Sequence, residues 1–380
     1  MPFADAAFVV AATFTLLHLM SVALAAPKCR KRDVPARTPS PAPFVSVVQP
    51  VCGIENYSRE TIAAAFDLDY PAFELVYCVA RGDDPVATLV REAMTKRPDV
   101  SARLLVGDER PTGNPKLNNV VKGWHAAKGQ FVAMIDSNLL MPRDIVQRLL
   151  EAFEPGVGLV STAPVGERPR SLGAELECAF LNTHQARWQF AGDATRNGFA
   201  QGKALFCRKD FLDSNGGILA LGDEAAEDAA STKVVRAAGL RVTLVDGPFA
   251  QPLGVRAVRA VVDRQRRWSR LRRATFPATY APEVLCGIVP PLAACVAGAL
   301  MSGRETTLSI AVLFVVWYGA EAALALASGW FLNWRSPFLW FARDLLLPLI
   351  WLDGWLGRDF VWQGHSMKAD DRKRIALGRA

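Results

Sequence analysis

Acidic residues sit at two places where an open parallel sheet would present them to a ligand. Asp83-Asp84 follow the apolar run 73–80, and Asp136 follows Phe131–Ile135. In open α/β sheets ligands bind outside the carboxyl ends of the strands. Two acidic strand ends on one rim suit a ligand that donates hydrogen bonds, or a divalent cation. Asp also favours turns, which is the better reading of Asp83 alone. Asp136, with five apolar residues behind it, is less easily explained that way. Further on, Asn114-Pro115-Lys116-Leu117-Asn118-Asn119 opens a helix, so the Lys116 cation and the Asn118 amide fall near a positive helix end that suits phosphate. Glu227 and Asp228 close an acidic patch, 223–228, just before a helix expected over 229–238; acids at a helix start also serve simply to complement the dipole. Finally, residues 264–273 carry six arginines in ten positions. Arg264, Arg267, Trp268 and Leu271 share one helical face, and Arg266, Arg270 and Arg273 another. The first face suits a diphosphate and the second an anionic membrane surface. A basic interfacial helix would need neither role.

The elements that must hold these residues alternate strand with helix. Apolar runs at 44–48, 73–80, 102–106 and 131–135 read as buried strands, and 58–66, 86–96 and 117–127 as helices, with Ser58 as an N-cap. That alternation predicts a doubly wound parallel sheet. Walker A and G-x-G-x-x-G patterns are absent, which disfavours P-loop and dinucleotide folds. The seven cysteines are scattered and never spaced C-x-x-C, and the four histidines form no H-E-x-x-H. A disulfide framework, a zinc cage and a histidine-metal enzyme are thereby disfavoured.

Of the 380 residues, 51% are hydrophobic and 21% charged, with a net charge of +7. The apolar excess collects at the two ends, and with those ends apolar the positive charge points to a membrane or a phosphorylated substrate, with no nucleic acid. Ala6 to Ala26 is long enough to cross a bilayer, and Lys28, Arg30, Lys31 and Arg32 follow it at once. A secretory signal carries its positive charge in front, so an anchor is expected, with residue 28 onward cytoplasmic and 35–43 a Pro-rich spacer. Residues 308–332 hold eleven Leu, Ile, Val or Phe and one acid, Glu321, and are expected to insert. Residues 284–302, broken by Pro290-Pro291, read as a kinked span or re-entrant pair. Residues 337–356 carry Arg343, Asp344 and Asp353; at about +2.5 to +3.5 kcal/mol per central charge they are not expected to cross alone. The basic tail (Lys368, Arg372, Lys373, Arg374) is expected in the cytoplasm.

The order Asp84, Asp136, Asp228, then Arg264-x-x-Arg267-Trp268 resembles the D, D, D, (Q/R)xxRW signature of membrane-bound processive-type glycosyltransferases. Within these the chain is most similar to the ceramide glucosyltransferase family, through "DDP" (83–85), "NPKLNN" (114–119), "IDSN" (135–138), "AED" (226–228) and "RQRRWSRLRRATFPA" (264–278). The likeness runs over nearly the whole chain, and the brevity of the chain suggests a bacterial-type member. It implies a GT-A-like doubly wound mixed sheet domain, flanked by an N-terminal transmembrane helix and C-terminal membrane helices. The expected organisation is an anchor (1–27), a linker (28–43), a glycosyltransferase domain (44–263), an amphipathic basic helix (264–282), a membrane region (283–358) and a tail (359–380). The protein would be multi-pass, with its catalytic domain cytoplasmic on a bacterial inner membrane.

Carried over by residue, the resemblance makes Asp84 a contact to the uridine part of a UDP-sugar and Asp136 the holder of Mg2+ or Mn2+ on the diphosphate. Asp228 becomes the catalytic base. Arg264, Arg267 and Trp268 bind the diphosphate or the acceptor region, and His184 falls where the family has a functional histidine. Asn138 stands where many glycosyltransferases place a second metal-binding acid. The implied reaction moves glucose, or another hexose, from its UDP donor to ceramide or another hydroxylated lipid such as diacylglycerol, with inversion. One carboxylate base and cations at the leaving diphosphate meet its needs. A non-catalytic membrane-anchored nucleotide-sugar-binding protein is the alternative outside the enzyme class.

Overall fold

The computed structural model describes residues 2–32, 34–357, 359–362 and 365–368. Arg372, Lys373 and Arg374 of the basic tail lie outside the described residues. The chain forms two compact units.

The first unit comprises Lys31–Arg168, Gly192–Gly254 and Asp359–Ala380. Its strands are β1 (Val45–Pro50), β2 (Phe73–Val79), β3 (Ala102–Val106), β4 (Phe131–Ile135), β5 (Val157–Ser161), β6 (Val165–Pro169), β7 (Ala204–Arg208), β8 (Arg241–Leu244), β9 (Ala250–Gly254), β10 (Asp359–Trp362) and β11 (His365–Lys368). Seven of them make one sheet in the order β3-β2-β1-β4-β7-β5-β8. β6 pairs with β9, and β10 with β11, as separate ribbons.

The sheet is buried on both sides, which is why its strands read as continuous apolar runs. Alternate residues feed two cores. Val47, Leu75, Tyr77 and Ile135 join the core beneath helices Ser58–Phe66, Pro85–Lys96 and Ile145–Glu151. Val48, Val76, Cys78 and Met134 join the core beneath Pro115–Ala126 and Glu227–Ala237. Helix Pro115–Ala126 seats closely on the sheet because Gly123 faces it. A Cβ there would stand 2.5 Å from Val48 Cγ1 and 2.6 Å from Cys78 Sγ, so any larger residue pushes the helix and Lys116 away.

The wholly parallel sheet expected from strand–helix alternation is corrected by β7. It runs antiparallel to both neighbours, with Ile135 opposite Ala204 and Val160 opposite Phe206. A short, mostly apolar strand such as Ala204–Arg208 reads alike in either direction, and the sheet that forms is the mixed one implied by the resemblance. Ser58 also departs from expectation. It begins the helix, Tyr57 occupies the N-cap, and the Ser58 hydroxyl accepts from the Glu55 amide.

The second unit, Met1–Arg30, Pro169–Ala191 and Val255–Arg358, is helical. Among the described residues, Pro2–Cys29 (mean hydropathy 2.1) and Thr306–Ser328 (2.0) are long and apolar enough to cross a membrane. Pro277–Leu285 and Val289–Ser302 together form a pair bent by 40°; the break lies at 286–288, and Pro290 and Pro291 sit in the first turn of the second helix rather than breaking 284–302 at their own positions. Helix Ser336–Leu356 keeps its charges paired: Arg343 with Glu321 and Asp344, and Asp353 with Arg266 and Arg270.

Candidate active site

The site assembles in the sheet unit at the carboxyl end of β4. Asp136 follows the last residue of that strand, and its amide donates to the Lys203 carbonyl at 3.0 Å, extending the antiparallel pairing with β7 by one step. The pairing puts Lys203 Nζ 3.1 Å from Asp136 Oδ2 and 2.8 Å from Asn138 Oδ1. From the other side comes Lys116, in the first turn of helix Pro115–Ala126. Asn114 caps that helix by accepting from the Lys116 and Leu117 amides, and Pro115 presets its first turn. Lys116 Nζ then lies 2.6 Å from Asp136 Oδ1, 2.7 Å from Glu227 Oε1 and 2.6 Å from the Gly202 carbonyl.

Asn114 also joins the cluster directly, its Nδ2 donating to Glu227 Oε2 at 2.8 Å. Asp228, next along the helix, accepts from the Gly202 amide at 3.0 Å and from the Ala229 amide at 2.7 Å. Gly202 is therefore the hub, donating to one acid and accepting from the lysine. A Cβ on it would stand 3.1 Å from Glu227 Oε1 and 3.2 Å from Lys116 Nζ, so residue 202 has to be small.

The electrostatics separate the two aspartates. Burial alone would raise Asp136, but Lys116 and Lys203 together hold its carboxyl below the ordinary range. Asp228 is pushed the other way, to about 6, by burial and by the neighbouring Glu227 charge, with Lys116 opposing. A carboxyl near 6 is a better proton acceptor than an ordinary aspartate and is still ionised at neutral pH.

The donor set also suits a divalent cation. Three oxygens from Asp136, Glu227 and Gly202 already converge on one cation, the Lys116 ammonium. Hard cations of the Mg2+ and Mn2+ kind take such oxygens and complete their shell from phosphate. Among the described residues no group of three or more His, Cys, Asp or Glu forms a cage for a metal. Protein oxygens alone do not complete a shell.

Other residues singled out from sequence stand elsewhere. Asp84 caps helix Pro85–Lys96 through the Val86 amide at 2.9 Å, and both its oxygens accept from the Gly53 amide at 3.0 and 3.1 Å, tying the ends of β1 and β2 together. Asp83 forms an exposed pair with Arg81, as the turn reading expects. The amide of Asn118, expected at a phosphate, holds the Thr112 loop: it accepts from the Thr112 amide and hydroxyl and donates to the Thr112 carbonyl.

In the helical unit, His184 lies on a π-helical turn, Leu181–Ala186. Such turns recur at functional sites. Burial, with the charges of Arg343 and Arg187, holds its ring neutral well below the usual histidine range, and Nδ1 is buried without a hydrogen-bond partner. On the arginine helix, Val258–Thr275, Arg264 pairs with the fully buried Glu177. Arg267 and Trp268 are half-buried, and burial with the nearby Arg264 charge lowers the Arg267 guanidinium to about 10. Arg266 and Arg270 both grip Asp353, at 2.5 and 2.9 Å. That corrects the expectation that Arg266 and Arg270 share a face given over to anionic lipid, because an internal carboxylate already takes both.

Gly202 and two charged members of the cluster were not among the expected site residues. Glu227 carried a signal, the run of acids at a helix start. Lys203 carried none, since only the direction of β7 brings it to Asp136.

This sheet, with its acid-and-lysine rim, defines a glycosyltransferase of the GT-A kind. A mannosyltransferase from Pyrobaculum calidifontis, solved with GDP-mannose and Mn2+, shares the fold at TM-score 0.53 and 18% identity, over 93% of this chain and 97% of its own. Residues 13–375 match the profile described as Glycosyl transferase family 21, and the chain belongs to that family. It is a hexosyltransferase. Ceramide glucosyltransferase 1 of Caenorhabditis elegans is 25% identical over 351 residues, which is 89% of this chain and 74% of the relative. Ceramide glucosyltransferase of Komagataella phaffii is 34% identical over 113 residues, 29% of this chain and 22% of that one. The resemblance noted from the motifs is borne out.

Proposed function

We propose that this protein transfers glucose from UDP-glucose to the primary hydroxyl of ceramide at a membrane surface, with inversion. The observation that carries the reading is Asp228: a carboxyl raised to about 6, held by the Gly202 amide beside the Lys116–Asp136–Glu227 cluster. A carboxylate so placed accepts the hydroxyl proton as the oxygen attacks the anomeric carbon. Its Oδ1 and Oδ2 are oriented by two backbone amides, so the base is positioned before the donor arrives. Lys116 and Lys203 supply fixed positive charge for a diphosphate, with the helix start at Pro115 adding its dipole. A bound Mg2+ or Mn2+, held by Asp136 with phosphate oxygens, would neutralise the charge that grows on the leaving group.

Asp84 is assigned to the uridine, Arg264, Arg267 and Trp268 to the diphosphate or acceptor region, and His184 stands where the family has a functional histidine. These assignments rest on the family signature. The relatives' names support ceramide as the acceptor, and the two membrane-grade helices suit a lipid substrate. In this reading the catalytic unit faces the cytoplasm from a multi-pass membrane protein, a reading supported by the basic residues that follow the first helix.

The test is purified protein incubated with labelled UDP-glucose, UDP-galactose and GDP-mannose against ceramide, diacylglycerol and sterol in mixed micelles. The expected result is a β-glucoside of ceramide from UDP-glucose. Transfer to diacylglycerol alone, or from GDP-mannose alone, would replace this reading.

A further inference from the structure

The Lys116 ammonium occupies the place that a cation is wanted in. Three oxygens surround it at 2.6 to 2.7 Å, two of them carboxylate and one a carbonyl. Between 11 and 22% of each charged side chain in the network is exposed, so the pairs are shielded yet within reach of a ligand. The second oxygen of Asp136 belongs to Lys203, which is itself anchored on Asn138. Lys116 is held by the two carboxylates and the Gly202 carbonyl, and a small cavity lined by Pro50, Leu117, Val120, Met134 and Leu205 adjoins it.

We propose that Lys116 is a built-in counter-cation that holds the Asp136 and Glu227 oxygens until a divalent cation and a nucleoside diphosphate enter together. The inference rests on the donor-site reading above. Its reason is charge balance. Two lysines now offset Asp136 and Glu227. A divalent cation arriving alone would have to displace a tethered ammonium, whose effective concentration at the site is high, and would leave that ammonium without a partner. A divalent cation arriving with a diphosphate brings both signs. The ammonium, a compact charge on a flexible four-carbon stem, then turns from the carboxylates to the phosphate oxygens. Metal binding thus becomes conditional on nucleotide, because the diphosphate's negative charge offsets the charge the divalent cation adds.

The experiment is titration calorimetry of Mn2+ into the full-length protein in detergent, with and without UDP, for wild type, Lys116→Met, Lys116→Gln and Lys203→Met. In wild type, UDP should tighten Mn2+ binding by about 100-fold or more, the scale of a tethered competitor. Lys116→Met should tighten Mn2+ binding without UDP by about tenfold or more, on the same reasoning. Lys116→Gln carries the test if the Met variant fails to fold. Lys203→Met should change nucleotide-free Mn2+ binding much less, because Lys116 still holds Asp136 and Glu227. Equal gains from Lys203→Met and Lys116→Met would reduce the effect to general charge removal and overturn the exchange. So would wild type that binds Mn2+ equally well with and without UDP. Wild type that binds no Mn2+ even with UDP would overturn the donor-site reading itself, and this inference with it.

Discussion

Arg343 meets Glu321 in a two-pronged pair, Nη1 to Oε2 at 3.0 Å and Nη2 to Oε1 at 2.9 Å, with both side chains buried to within 1%. The same guanidinium reaches Asp344 Oδ1, the Ala179 carbonyl and the Thr183 hydroxyl. Asp344 in turn accepts from the Tyr318 hydroxyl and the Ile288 amide. Thr183 lies on the π-turn that carries His184. Acids that would each oppose entry into a bilayer are therefore matched inside the helical unit.

Removing the cation should be worse than neutralising one acid. Arg343→Met leaves Glu321 and Asp344 without their cation, a loss of about 3–5 kcal/mol for a broken buried pair. Glu321→Gln still leaves Arg343 on Asp344 and should lower the thermal midpoint less. Thermal unfolding in detergent checks the order, and equal midpoints for the two variants would show that the cluster does not act as an ion network.

Asp228→Asn keeps the size and the amide contacts of the side chain but removes its proton acceptor. Transfer should fall about 10²-fold or more, the usual scale for a positioned general base, while UDP-glucose binding is retained. Turnover assays alongside calorimetric donor binding check both halves. Near-normal turnover would remove Asp228 from the mechanism.

The same carboxyl sets a pH limb. Its value near 6 means that the ionised, proton-accepting form dominates above pH 6 and falls about tenfold per unit below it. The rate at saturating donor should therefore be flat near pH 7 to 8 and drop with unit slope as pH falls through about 6. A limb near pH 4 would place the base on an ordinary carboxyl.

The arginine helix should fail in two ways. Arg267→Ala is expected to reduce turnover by about 3 kcal/mol of transition-state stabilisation, as for a missing oxyanion donor, and added lipid should not restore it. Arg270→Ala instead breaks a pair with Asp353, whose carboxyl Arg270 and Arg266 hold below its ordinary range against burial. Its defect should be a lower thermal midpoint, insensitive to anionic lipid. Activity rescued by anionic vesicles would return Arg270 to a lipid-binding role.

Much of the site could be read along the chain because its parts are local. Asp136 ends an apolar strand, Lys116 and Asn114 open a helix behind a proline, and Asp228 stands in a run of acids at a helix start. Strand ends and helix starts are short-range features of residue type and period, so sequence alone marked Asp136, Lys116 and Asp228 for the rim. Hydropathy likewise marked the two membrane-grade helices and the bent pair between them.

What the tertiary structure decided is pairing. The antiparallel course of β7 places Lys203 against Asp136, and nothing in its short run Ala204–Arg208 states that direction. Asn118 turned to Thr112, Arg264 to Glu177, and Arg266 with Arg270 to Asp353, each through a partner at least six residues away. Charge in a sequence is counted residue by residue, whereas its free energy depends on which opposite charge shares its burial. That is why the acids and arginines of residues 321–353 looked costly one at a time and form a matched network in the fold.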